Sequence, residues 1–194
     1  MRNPLSHWTT KSALFLGISL AAAGMASAQA VVVAERGAAL SPFVQTTLLS
    51  PDWGQKDNIG FTAGVDYTHF IRSIVQPSLE FRMTGANGQQ VDERTYLGGF
   101  KLETTVHGIH PYATLLAGNG DITFVHPVNG YTGDNSFVYA IGGGAEFNVL
   151  PQWKVRADFT QQHWNLEPQI LTPMTFSVGV AYSIAFHGNN GWVH

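Results

Sequence analysis

The sequence predicts an all-β protein, an eight-stranded antiparallel up-and-down transmembrane β-barrel. Three observations lead there: period-two hydrophobic alternation in segments of roughly ten residues, connections that alternate between long and short, and an export signal ahead of them.

The alternation is clearest in Phe137–Trp164. Phe137, Tyr139, Ile141, Gly143, Ala145 and Phe147 fall on one face, with Val138, Ala140, Gly142, Gly144, Glu146 and Asn148 on the other, which is the period of a strand. After Val149–Trp153 the pattern resumes, with Val155, Ala157 and Phe159 against Lys154, Arg156, Asp158 and Thr160, so the two arms form a hairpin. Pairing Asn148 with Lys154, Glu146 with Arg156 and Gly144 with Asp158 puts every charge on one side. The other side is then wholly apolar.

The start of the chain sets the compartment. Arg2 and Lys11 form a positive region, Ser12–Ala22 an apolar one, and Ala26-Ser27-Ala28 a small-residue cleavage motif, so 1–28 reads as a secretory signal peptide. Cleavage removes two positive charges and no acids, taking the formal net charge from −3 to −5, which does not suit nucleic-acid binding. There is no Cys, hence no disulfide framework. No later segment is long and apolar enough for a transmembrane helix, so a membrane-embedded chain must close into a barrel, where every backbone group finds a partner.

Residues 29–40 are expected to be a lead-in and 41–186 the barrel. Ser41–Leu49 is the first strand, with Val44, Thr46 and Leu48 on one side. Asn58–Thr68 is the second, setting Ile59, Phe61, Ala63, Val65 and Tyr67 against Gly60, Thr62, Gly64, Asp66 and Thr68. Ile74–Thr84 sets Leu79, Phe81 and Met83 against Ser78, Glu80 and Arg82. Thr95–Thr105 sets Tyr96, Phe100 and Leu102 against Gly99, Lys101 and Glu103. A fifth strand lies near Pro111–Gly118, with its facing open. The Phe137–Trp164 hairpin supplies two more, and Thr175–Phe186 closes the set.

The longest connections are the polar stretches Gly85–Arg94 and Asn119–Asn135, separated by short turns. A β-sandwich gives no reason for this alternation. An outer-membrane barrel has short periplasmic turns and longer external loops by construction. Apolar residues then face lipid, and Tyr67, Tyr96, Phe137, Trp153, Trp164, Tyr182 and Phe186 are expected in the interfacial aromatic girdles.

The glycine-rich strand Ala140–Val149, the turn Leu150–Trp153 and the Arg-x-Asp core of Lys154–Phe159 resemble the penultimate hairpin of small OmpA-like or opacity-type outer-membrane barrel proteins. The closing Gly179-x-x-Tyr182-x-Ile184-x-Phe186 resembles the assembly signal of that family. The resemblance implies a Gram-negative outer membrane, surrounding lipid, and recognition of Gly179, Tyr182, Ile184 and Phe186 by the barrel-assembly machinery. Its motifs are specific for fold and not for activity. The chain departs from many relatives in running on past Phe186, with 187–194 expected to be a short tail, and no peptidoglycan-binding domain is expected.

The candidate site is the lumen, with Asp66, Glu80, Arg82, Lys101, Glu103, Glu146, Lys154, Arg156 and Asp158. These five acids and four bases nearly neutralise one another, and an eight-stranded interior is just wide enough for side chains to fill. A charge-paired plug is expected; a narrow ion path is the alternative. His69, His107, His110, His126 and His163 lack the convergent carboxylates of a metal site, so no metal and no cofactor is expected. His163 with Asp158 is the nearest approach to the Ser–His–acid set of a lipid-modifying barrel enzyme, and no Ser stands in a nucleophile context. The expectation is a non-enzymatic protein whose two long polar stretches meet an unidentified external partner.

Overall fold

A computed structural model describes residues 37–52, 57–71, 73–128, 131–166 and 169–186. The expected signal peptide, most of the lead-in and the tail lie outside the described residues. The elements are β1 (Ala38–Ser50), β2 (Asn58–His69), β3 (Val75–Asn87), β4 (Val91–Thr104), β5 (Ile109–Val128), β6 (Tyr131–Asn148), β7 (Trp153–Leu166), β8 (Gln169–Leu171), β9 (Met174–Tyr182) and β10 (Ile184–Phe186).

Each of β1 to β7 pairs antiparallel with the next, β8 and β9 lie along β7, and β9 and β10 return to β1. The last three segments are therefore one eighth strand, interrupted at Thr172–Pro173 and at Ser183, and the sheet closes into an eight-stranded barrel. Closure leaves the backbone of the wall paired, which is what a lipid-facing sheet requires. β1 begins at Ala38, inside the expected lead-in, because Ala38–Leu40 pairs on one side with Tyr67–His69 and on the other with Ile184–Phe186.

The β6–β7 register is the one read from the charges: Asn148 opposes Lys154, Glu146 opposes Arg156, Gly144 opposes Asp158 and Phe147 opposes Val155. Val44, Thr46 and Leu48 all face outward, and the outward band includes Ile59, Phe61, Leu79, Phe81, Phe100, Leu115 and Ile141. Between β4 and β5 the chain reverses through His107 (φ 51°) and Gly108 (φ 82°), and Val106 bridges Ile109. Two consecutive positive φ values give the turn a twist that matches the strands.

Two expectations about the opposite end are corrected. Gly85–Arg94 is not a ten-residue loop, because Gly85 pairs with Arg94 and Ala86 with Glu93, leaving only 88–90 as the connection. Asn119–Asn135 is largely strand too: Asn119 pairs with Phe137, Asp121 with Asn135 and Thr123 with Gly133, with β5 running to Val128 and β6 starting at Tyr131. Gly, Asn and Asp are poor strand formers, but the preference spans only about 1 kcal/mol and yields to a ladder already in register. Asn135 also donates from Nδ2 to Asp121 Oδ1 across the pair.

The β5–β6 hairpin therefore rises past its neighbours. β4 last pairs with β5 at Phe124, and β7 last pairs with β6 at Val138. We call this the hairpin end of the barrel and the opposite one the turn end.

Of the expected girdle residues, Tyr96 and Phe137 flank Asn119 at one level near the hairpin end. Tyr67, Trp153 and Phe186 are exposed toward the turn end, where the half-buried Tyr182 meets Trp153 edge-on at 5.0 Å. Trp164 is the exception. It is 0% exposed and points into the lumen, because it shares the parity of Arg156, Asp158, Thr160 and Gln162 along β7.

Candidate functional site

Alternation along the strands brings all nine expected charges into the turn-end half of the lumen, where they form one connected network. Arg156 is its hub. Its Nη1 lies 2.8 Å from Asp66 Oδ2, its Nη2 2.8 Å from Glu80 Oε2 and its Nε 3.2 Å from Asp158 Oδ2. A planar guanidinium can serve three carboxylates this way because its five N–H donors leave in fixed directions. The Arg156 plane is held between two rings, 4.0 Å from the centroid of Phe43 and 4.8 Å from that of Tyr112.

Lys101 Nζ meets Asp66 at 2.8 Å and also bonds Glu146, while lying 4.3 Å from the Tyr112 ring centroid. Arg82 pairs with Glu80, its neighbour two positions along β3, and reaches Asp158 at 3.4 Å. Asp158 also accepts from Tyr112 Oη at 2.9 Å and Gln45 Nε2 at 3.2 Å. Toward the turn end, Lys154 bonds Glu146 at 2.9 Å, and Glu103 lies 3.2 Å from both Lys101 Nζ and His110 Nδ1.

Charge gives way to hydroxyls along the same strands. Thr47 sits 2.7 Å from Thr62 and 2.9 Å from Ser177, and Thr62 is 2.8 Å from Thr84, a hydrogen-bonded chain across four strands. Beyond it the lumen turns apolar. Val91, Leu97, Leu116, Ile122, Val138, Ala140 and Trp164 pack into a single buried cluster, with Phe124 and Leu171 against its edge. The Trp164 ring fills the barrel because Gly120 opposite has no side chain; a Cβ there would meet the ring at 2.4 Å. Its Nε1 donates to Gln162 Oε1 at 2.9 Å, so the buried indole carries no unpaired donor.

Three parts of this interior lie outside the sequence reading: the Phe43–Tyr112 clamp, the Trp164 cluster and Glu93. Parity along β6 and β7 was the signal for the cluster, since Val138 and Ala140 share the face of Glu146.

The histidines among the described residues do not converge. His110 engages Glu103 and Asn148, while His163 stacks flat on Tyr139 with ring centroids 4.7 Å apart. Among the described residues no group of three or more His, Asp or Glu is placed to hold a metal ion. His163 and Asp158 differ in parity on β7, so they point to opposite faces of the wall.

In the closing strand Gly179 is packed so closely against β1 that a Cβ would meet the Val44 carbonyl oxygen at 2.0 Å. Ile184 and Phe186 are exposed on the outside.

An outer-membrane barrel is also what comparison with known proteins returns. The family model for the outer membrane protein beta-barrel domain matches residues 18–183. The chain belongs to this family. Among solved structures, neisserial surface protein A aligns with a TM-score of 0.51 at 13% identity, over 75% of this chain and 96% of its own. Ail, the attachment invasion locus protein of Yersinia pestis, aligns at 0.51 with 18% identity, over 77% of this chain and 99% of its own. At such identities the likeness is one of fold. No match was found among curated protein sequences. As an outer-membrane barrel, the chain meets lipid with its outward apolar band.

Proposed function

We propose that this outer-membrane barrel is a non-enzymatic scaffold whose filled lumen holds the β5–β6 hairpin out from the membrane as a surface for external partners. The observation that carries the reading is the hairpin. β5 continues nine residues beyond Asn119, the level of Tyr96 and Phe137, to Val128, a rise of at most about 30 Å at ~3.3 Å per residue. In barrels of this kind the long excursions of the chain beyond the membrane lie outside and the short turns face the periplasm; the β5–β6 hairpin is such an excursion, so on this reading the hairpin end faces out.

On this reading residues 1–28 direct export, and Gly179, Tyr182, Ile184 and Phe186 are read by the assembly machinery. The nine lumen charges then act as a structural plug. A passive pore is disfavoured because a solute would have to cross both the ion-pair network and the apolar cluster. The opposite facing of His163 and Asp158 speaks against a lipid-modifying enzyme.

An epitope inserted at 129–130 tests the orientation on which the surface role depends. Antibody should bind it on intact cells. Binding only after the outer membrane is permeabilised would reverse the orientation and remove the role.

A further inference from the structure

Glu93 is a carboxylate that neither the plug nor the hairpin uses. It lies on β4 three residues beyond Tyr96, past the aromatic level and so outside the membrane-spanning part of the wall, and it points inward into the mouthward part of the apolar cluster, between Val91 and Leu97 and opposite Ile122. Only 4% of it is exposed, and its Oε2 has no hydrogen-bond partner among the described residues. Val91, Ile122, Phe124, Leu171, Pro173 and Asp52 complete the small cavity it lines, about 10 Å³ in volume. That is room for about one water-sized occupant.

The same cavity carries a tie across the mouth. Asp52 Oδ2, from the β1–β2 connection, accepts from the Thr172 amide at 3.1 Å and the Thr172 hydroxyl at 2.9 Å, at the break between β8 and β9.

We propose that Glu93 is a proton-operated latch on the hairpin end of the lumen: protonated, it rests neutral among apolar side chains and the mouth stays closed; ionised, it repels Asp52 and loosens the Asp52–Thr172 tie.

Among the described residues the surroundings supply no counter-charge. From β3 it faces Ala86; from β4, Thr95, while Asp92 and Arg94 have the opposite parity; from β5, Ile122 and Phe124, with Asp121 of opposite parity. From β6 the inward group is Asp134, opposite Ile122 and exposed; from β7 it is Trp164; from β8 and the break after it, Leu171 and Pro173; and from the β1–β2 connection, Asp52. The inward cation nearest along β3 is Arg82, two inward positions below Ala86 and bound to Glu80 and Asp158. Among the described residues, both charged neighbours of Glu93 are thus acids.

Burial pushes the Glu93 carboxyl up from 4.5 to about 7. An acid whose pKa is higher in the closed mouth than when exposed holds its proton more tightly there. Closure therefore has its full support below pH 4.5, loses it progressively up to about pH 7, and stays at the weakened level above that.

The test uses the refolded exported chain in lipid vesicles, with Trp53, Trp153 and Trp192 replaced by Phe so that Trp164 is the sole fluorophore. Acrylamide quenching is followed from pH 5 to pH 9. The expected result is a several-fold rise in the quenching constant centred near pH 7, absent in Glu93→Gln. A flat profile, or the same rise in Glu93→Gln, overturns the proposal. Should the tryptophan-reduced chain fail to fold, exchange protection of the Thr172 amide, corrected for intrinsic rate, gives the same reading: it should fall across this pH range only when Glu93 is present.

Discussion

Along β7 the inward face passes from Arg156 and Asp158 through Thr160 and Gln162 to Trp164, so a single strand goes from full charge to a buried indole. The turn-end half of the lumen is packed with ions and the hairpin-end half with hydrocarbon, and the two fail differently when damaged. In the ionic half each cation is shared among carboxylates, so loss of Arg156 takes a partner from Asp66, Glu80 and Asp158 at once and leaves the buried network short of positive charge. In the apolar half a lost side chain removes its contacts and leaves a cavity. Connectivity spreads one loss over several groups in the first half, whereas in the second the damage stays local.

This contrast can be broken or sharpened by substitution, taking the largest effect first. Arg156→Ala strips contacts from Asp66, Glu80 and Asp158 together and should cost about 3–5 kcal/mol in urea unfolding from vesicles. Arg156→Lys should recover only part of this, since one ammonium cannot reproduce the three-way fork. Trp164→Ala should cost about 3 kcal/mol by emptying the centre of the apolar cluster. A larger loss at Trp164 than at Arg156 would reverse the comparison. Phe100→Arg, on the lipid face, should cost about 2–3 kcal/mol, measured the same way. Thr132→Lys, exposed on the hairpin, should change stability by less than about 0.5 kcal/mol and leave the heat-dependent gel shift of the folded barrel intact.

How much of this was legible depended on whether side-chain type and strand parity agreed. For Glu146, Arg156 and Asp158 they did: charges on one parity and apolar residues on the other give both the facing and the β6–β7 register. At Trp164 they conflicted. An aromatic near a strand end suggests a girdle, but its parity puts it inside, and only the missing side chain of Gly120 makes room for it there. Residues 119–135 hid their strands for another reason. Gly, Asn and Asp carry no alternation to read, even though the partners lie within one hairpin. The Phe43–Tyr112 clamp on Arg156 was equally hidden, because it depends on which strands face each other across the barrel and not on any local spacing.

The most direct test of a lumen sealed by both halves is planar-bilayer conductance of the refolded chain at pH 5, where Glu93 holds its proton, beside Arg156→Ala. Both should be silent once folding is confirmed by the gel shift, because the Trp164 cluster closes the lumen even where the ion network is damaged. Discrete steps from the folded wild-type chain, altered in size by Arg156→Ala, would make the lumen a conducting path and contradict the plug.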